Sequence, residues 1–175
     1  MATPTMAVLL GCGVLLTAAA GFGQQPAANP LDTVPDKMPF DLPYGTPIGL
    51  DRAQAAIAAA VTEARKHDWK LNVAVVDSGG NLVAFQRMDG AQLASIAIAE
   101  HKARAAAMFR RETKVFETIV AGGNAAPLGL DGAIASRGGI PLVADGKLIG
   151  AIGCSGGTGS QDEVIAKAGV AALGN

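Results

Sequence analysis

Residues 142–164, LVADGKLIGAIGCSGGTGSQDEV, read as strand, tight turn, strand, glycine-rich corner and helix start. Asp145-Gly146 stands between Leu142-Val143-Ala144 and Leu148-Ile149-Gly150-Ala151-Ile152. That pattern predicts a hairpin with a type I′ turn, which needs positive φ at both central residues. The following Gly153-Cys154-Ser155-Gly156-Gly157-Thr158-Gly159 lets backbone pack closely before Ser160 caps the last helix. A similar module lies upstream: VVDSGGNLVA at 75–84 echoes LVADGKLIGA at 142–151. Here Leu71 to Val76 is a strand, Asp77 to Asn81 the turn, and Leu82 to Met88 the return strand.

Helical periodicity fills the intervals. Asp51 to His67 carries Ala53, Ala56, Ile57, Ala60, Val61 and Ala64 on one face, with Asp51 as cap and Gln54 at the N3 position of a capping box. Arg65, Lys66 and His67 suit the negative end of that helix's dipole. Ser95 to Arg111 has no breaker, and Ile96, Ala99, Ala103 and Ala106 make a narrow small-residue stripe for a helix seated close on a sheet. Glu112 to Val120 predicts a shorter helix, Ala121 to Gly139 a glycine-rich loop, and Ser160 to Leu173 the closing helix. The order α-β-β-α-α-β-β-α matches no doubly wound parallel pattern. It predicts an α+β fold, an antiparallel sheet flanked by helices.

The 175 residues carry 14 basic and 15 acidic side chains, and half are apolar. No basic stripe or aromatic platform points to nucleic acid. Residues 1–23 read as a signal peptide, with Ala7 to Phe22 apolar or small and small residues near a cleavage site at Gly23. The run is too short and glycine-broken for a membrane span, so the mature chain is expected to have no stable span and to be periplasmic or secreted. From 24 to 47, six prolines between positions 26 and 47 predict an extended arm. The domain proper is then 48–175. Without residues 1–23, Cys154 is the single cysteine, an intrachain disulfide is impossible, and burial is the ordinary state of such a thiol.

Several chemistries fall to simple objections. The run 153–159 lacks the lysine of a phosphate-binding P-loop, and the chain carries no further β-α-β unit for a dinucleotide fold. Gly153, Ser155 and Gly157 fit a Gly-x-Ser-x-Gly frame, but both histidines precede the serine and no parallel sheet supports it. Asp77, Asp89 and Asp145 fall at turns and strand ends, where turn chemistry accounts for them. The two histidines, His67 and His101, do not suffice for a multi-histidine metal site in one chain. His101 lies away from the alanine stripe, flanked by Ile98, Ala105 and Met108.

Three sets of residues carry a family resemblance: Val73 to Phe85, Arg87-Met88-Asp89-Gly90-Ala91 with Lys102-Ala103, and Gly138-Gly139-Ile140-Pro141-Leu142 with Ile149 to Gly157 and Gln161-Asp162-Glu163. Over about 48–173 the chain resembles the GlcG/HbpS-like haem-binding family and the C-terminal domain of PduO-type corrinoid adenosyltransferases. The resemblance implies a profilin-like antiparallel sheet with helices, a homo-oligomer, and haem or a related tetrapyrrole as ligand, used in sensing, sequestration or transport. Haem needs an apolar slot, an axial donor and cations for its propionates. The possible donors are His101, His67, Met88 and Cys154, with the two histidines first as metal ligands. The possible propionate partners are Arg87, Lys102, Arg104 and Arg137. The family's motifs fix none of these roles, and a site shared between subunits suits so thin a supply. Two other readings stay open: an enzyme or accessory protein acting on a small organic metabolite, and an interaction module without a ligand.

Overall fold

A computed structural model describes Met1 and residues 34–174. The expected signal peptide beyond Met1, and the first part of the proline-rich arm, lie outside the described residues. The chain divides into two compact units, Met1–Asp36 and Lys37–Asn175, and every element named here belongs to the second.

Among the described residues the elements are α1 (Leu50–Lys66), β1 (Asn72–Asp77), β2 (Leu82–Arg87), α2 (Ser95–Met108), α3 (Lys114–Ala121), β3 (Gly139–Ala144), β4 (Lys147–Ser155) and α4 (Gly159–Ala171), with a 3-10 turn at Ala126–Gly129. The strands form one sheet in the order β2-β1-β4-β3, and every pairing is antiparallel. This is the α+β architecture and the element order that the periodicities predict. No described helix is long and apolar enough to cross a membrane.

Each hairpin closes as its turn residues dictate. Asp145 and Gly146 both adopt positive φ, 50° and 70°, which is the type I′ requirement. In the first hairpin the Asp77 carboxylate accepts the N–H groups of Gly79 and Asn81 at 2.8 and 2.9 Å. Each hairpin carries one register shift, at Val75/Val76 and at Leu142/Val143.

Alternation along the strands then sorts side chains onto two faces. Val73, Val75, Ile152 and Cys154 meet α1 and α4 on one side. Ala74, Val76 and Ala151 meet Ala99, Ala103 and Ala106 of α2 on the other. The stripe on α2 is therefore the buried edge of the helix, with Ile96 at its half-buried start. The seat is unusually close: a Cβ on Gly153 would fall on the Ala99 carbonyl and 2.5 Å from the Ala103 nitrogen.

Helix ends depart from expectation by a few residues. Gly49, not Asp51, caps α1, and no side chain bonds there; Asp51 sits inside the first turn. Thr158, not Ser160, caps α4, with Gln161 completing the box: Gln161 N–H donates to Thr158 Oγ1 at 3.3 Å and Thr158 N–H to Gln161 Oε1 at 2.8 Å. Helix α2 stops at Met108 because Arg110 turns left-handed (φ 53°) and Arg111 N–H returns to the Ala106 carbonyl. A non-glycine residue at that position leaves no trace in sequence.

Residues 40–48 also join the domain. Leu148 N–H donates to the Pro43 carbonyl at 2.8 Å, and Gly45 N–H to the Leu148 carbonyl at 2.7 Å. The Arg111 guanidinium lies 3.2 Å from the Phe40 ring centroid, and Tyr44 Oη donates to the Met108 carbonyl. The aromatic residues of the arm thus dock beside the C-terminal end of α2.

The seat of α2 gives a direct expectation. Gly153→Ala pushes a methyl into main-chain atoms that have no rotamer to yield, and is expected to cost about 3 kcal/mol or more. Gly129→Ala, with nothing near its added Cβ, is expected to stay within about 0.5 kcal/mol. Urea unfolding of the two variants reads the difference.

Candidate functional site

Helix α2 has two unlike edges. The buried one carries the alanines and also Lys102, whose side chain is 1% exposed. Lys102 Nζ donates to Asp162 Oδ2 at 2.7 Å and to the Cys154 carbonyl at 3.2 Å. Asp162 Oδ1 in turn accepts the Gly157 N–H at 3.0 Å. Burial pushes the Asp162 carboxyl up, against the pull of the Lys102 ammonium and the N–H groups of the glycine corner. Gly138 allows the pair to close, since a Cβ there would lie 2.8 Å from both Asp162 Cβ and the Cys154 oxygen. Cys154 is fully buried, and burial drives its thiol strongly upward, so it stays protonated. Lys102 and Cys154 therefore belong to the interior, and neither reaches a ligand at the surface.

Arg137 is engaged as well. Its Nε donates to Glu117 Oε1 at 2.7 Å and its Nη1 to Glu163 Oε2 at 3.3 Å. Glu163 also accepts Lys167 at 2.6 Å and Lys114 at 3.1 Å. The network ties α3, the loop before β3 and the N-terminal half of α4 together. Hydrogen bonds from Lys167 and then Lys114 hold the Glu163 carboxyl below its ordinary value, against the penalty of burial.

The exposed edge of α2 carries Ala97, His101, Arg104 and Met108 in one row, at helical spacings of four, three and four. His101 Nε2 lies 3.2 Å from the Gly132 carbonyl, and Arg104 Nε donates to the Gly80 carbonyl at 3.2 Å. Ala97, Glu100, His101, Arg104 and Gly132 line a groove of about 280 Å³. Ala105, placed beside His101 by spacing, is buried instead. Met108 falls in the row beside His101 as the helical spacing places it. Gly132 is the partner that sequence reasoning missed, because it comes from a loop with no periodicity.

The remaining candidates gather elsewhere. Arg87 and Met88 line a second cleft of about 330 Å³ with Arg65, Trp69 and Lys70. His67 stands next to it, stacked on Trp69 at 4.3 Å with an interplanar angle of 19°, its Nε2 3.2 Å from Glu63 Oε1. The two grooves share no lining residue. Among the described residues no group of three or more His, Cys, Asp or Glu gathers around a point.

A family model described as haem degrading protein HbpS-like matches residues 48–171, which contain both grooves and the whole sheet. This chain belongs to the HbpS-like family. Protein GlcG of Escherichia coli strain K12 is 46% identical over 103 residues, which cover 59% of this chain and 77% of GlcG. The crystal structure of HbpS superposes with a TM-score of 0.69 at 34% identity, covering 77% of this chain and 96% of that one. The PduOC structure, a complex with haem, gives a TM-score of 0.67 at 29% identity, covering 74% and 96%.

Two expectations follow. Lys102→Met leaves the Asp162 carboxylate buried without its cation and is expected to cost about 3–5 kcal/mol in urea unfolding. Glu163 acts through pH. A carboxyl lowered in the folded state contributes stability that is complete above its unfolded value and is lost as pH falls through the folded one. Glu163→Gln is therefore expected to destabilise at pH 7, with its gap from the parent chain narrowing as pH drops below about 4.5. A gap independent of pH contradicts the network.

Proposed function

We propose that this protein binds haem on the exposed edge of α2, with His101 as axial donor and Arg104 as partner for a propionate. The observation that carries the reading is His101 itself. It is an exposed imidazole held at one ring nitrogen by the Gly132 carbonyl, and it sits three residues, about one helical turn, from the Arg104 guanidinium on the same row. A backbone carbonyl on one nitrogen orients a ligating histidine and leaves the other its electron pair. Family membership and the haem complex of PduOC support the choice of ligand.

The residues present fit that group: a nitrogen donor, a guanidinium, and the apolar Ala97 and Met108 beside them. When bound, haem supplies an iron that takes axial donors and a redox couple tuned by them. The groove on one chain falls just below the usual 300–1,000 Å³ of small-molecule sites. One chain thus provides one wall, and a second copy is proposed to provide the other, making the protein a homo-oligomer when loaded. The apolar leader-like stretch at 7–22 supports export to the periplasm or medium, where sensing, sequestration or transport of haem is the proposed role.

Haemin titration tests this. The parent chain is expected to shift the Soret band and saturate at one haem per chain or per pair of chains. His101→Ala is expected to weaken binding at least about ten-fold, while His67→Ala, whose ring is already engaged by Trp69 and Glu63, leaves it unchanged. Full-affinity binding in His101→Ala overturns the assignment.

A further inference from the structure

The second cleft gathers cationic side chains that the fold does not use. Arg65 comes from the last turn of α1, Lys70 from the connection to β1, and Arg87 from the end of β2. Among the described residues, neither Arg65 nor Arg87 makes a side-chain hydrogen bond or ion pair, and Lys70 has only Asp68 at 3.7 Å. Asp68 and Asp89 share the rim, so three cations face two carboxylates. The Asp68 side chain is 91% exposed, so its charge at the rim is well solvated and screened.

The apolar part is rigid. Trp69 and Met88 are half-buried and packed on the core beneath α1. The left-handed Asp68 (φ 53°) ends α1, and Trp69 N–H returns to the Ala64 carbonyl at 3.0 Å. Met88 N–H donates to the Leu71 carbonyl at 3.1 Å. His67 closes one face of the indole, so the ring is held on that side and cannot swing freely.

We propose that this cleft binds a small organic carboxylate, its apolar body against Trp69 and Met88 and its carboxylate taken by Arg65 and Arg87. Guanidinium forks match a carboxylate's two oxygens, and Lys70 adds a point charge. The volume of about 330 Å³ suits a single-ring acid. The site stands apart from the haem groove, so either can fail without the other.

Trp69 is the one tryptophan of the chain, and its emission reports this cleft alone. Benzoate is the probe and benzyl alcohol its uncharged counterpart. The full chain is expected to show a saturable change in Trp69 emission with benzoate, weakening as salt rises, and none with benzyl alcohol. Arg65→Ala and Arg87→Ala, both exposed positions, are each expected to raise the apparent Kd at least about five-fold with the circular dichroism unchanged. His101→Ala is expected to leave the benzoate titration intact. No saturable change up to about 10 mM benzoate, an equal response to benzyl alcohol, or a response indifferent to both arginine variants overturns the proposal.

Discussion

The fold depends on a place where a helix and a strand meet through main chain alone. At Gly153 there is no side chain between β4 and α2, and the Ala99 carbonyl and Ala103 nitrogen occupy the space where one would be. The alanine edge of α2 continues that contact along Ala74 and Ala151. A helix seated this closely cannot rotate about its axis without clashing. Its opposite edge is therefore presented in a fixed orientation, which is how His101 and Arg104 come to face outward side by side.

Polar chemistry at the same spot adds direction to the packing. Lys102 leaves the alanine edge, runs beneath the glycine corner and meets Asp162 at the start of α4. The corner's glycines make room for this pair, and Asp162 collects the Gly157 N–H. The glycine run is thus a device for joining α2, β4 and α4. Its N–H groups already have an anion in the chain's own carboxylate. A buried pair of this kind adds little net stability over an apolar equivalent but is costly to break, so it favours one arrangement of the three elements over others.

Much of this was legible in the residues. Asp145-Gly146 announced its turn, the α1 and α2 periodicities gave the buried faces, and the element order gave the antiparallel sheet. What stayed hidden depended on tertiary contact. Nothing local marks Arg110 or Asp68 as left-handed helix stops, and Thr158 and Ser160 are equal candidates until the backbone chooses. The site candidates were a mixed set for the same reason. His101, Arg87 and Lys102 look alike as titratable residues, but register and helical phase send them to an exposed groove, a second cleft and the interior. Lys102 in particular gives no hint in sequence that its partner lies 60 positions away.

Seating α2 on Gly153 fixes the opposite helical edge as the proposed ligand surface. A crystal structure of the haemin complex tests it most directly. The expected result is iron bound to the His101 imidazole with a propionate near Arg104, and α2 still in contact with Gly153. Iron held by Met88, or by any group on the α1 side of the sheet, would contradict it.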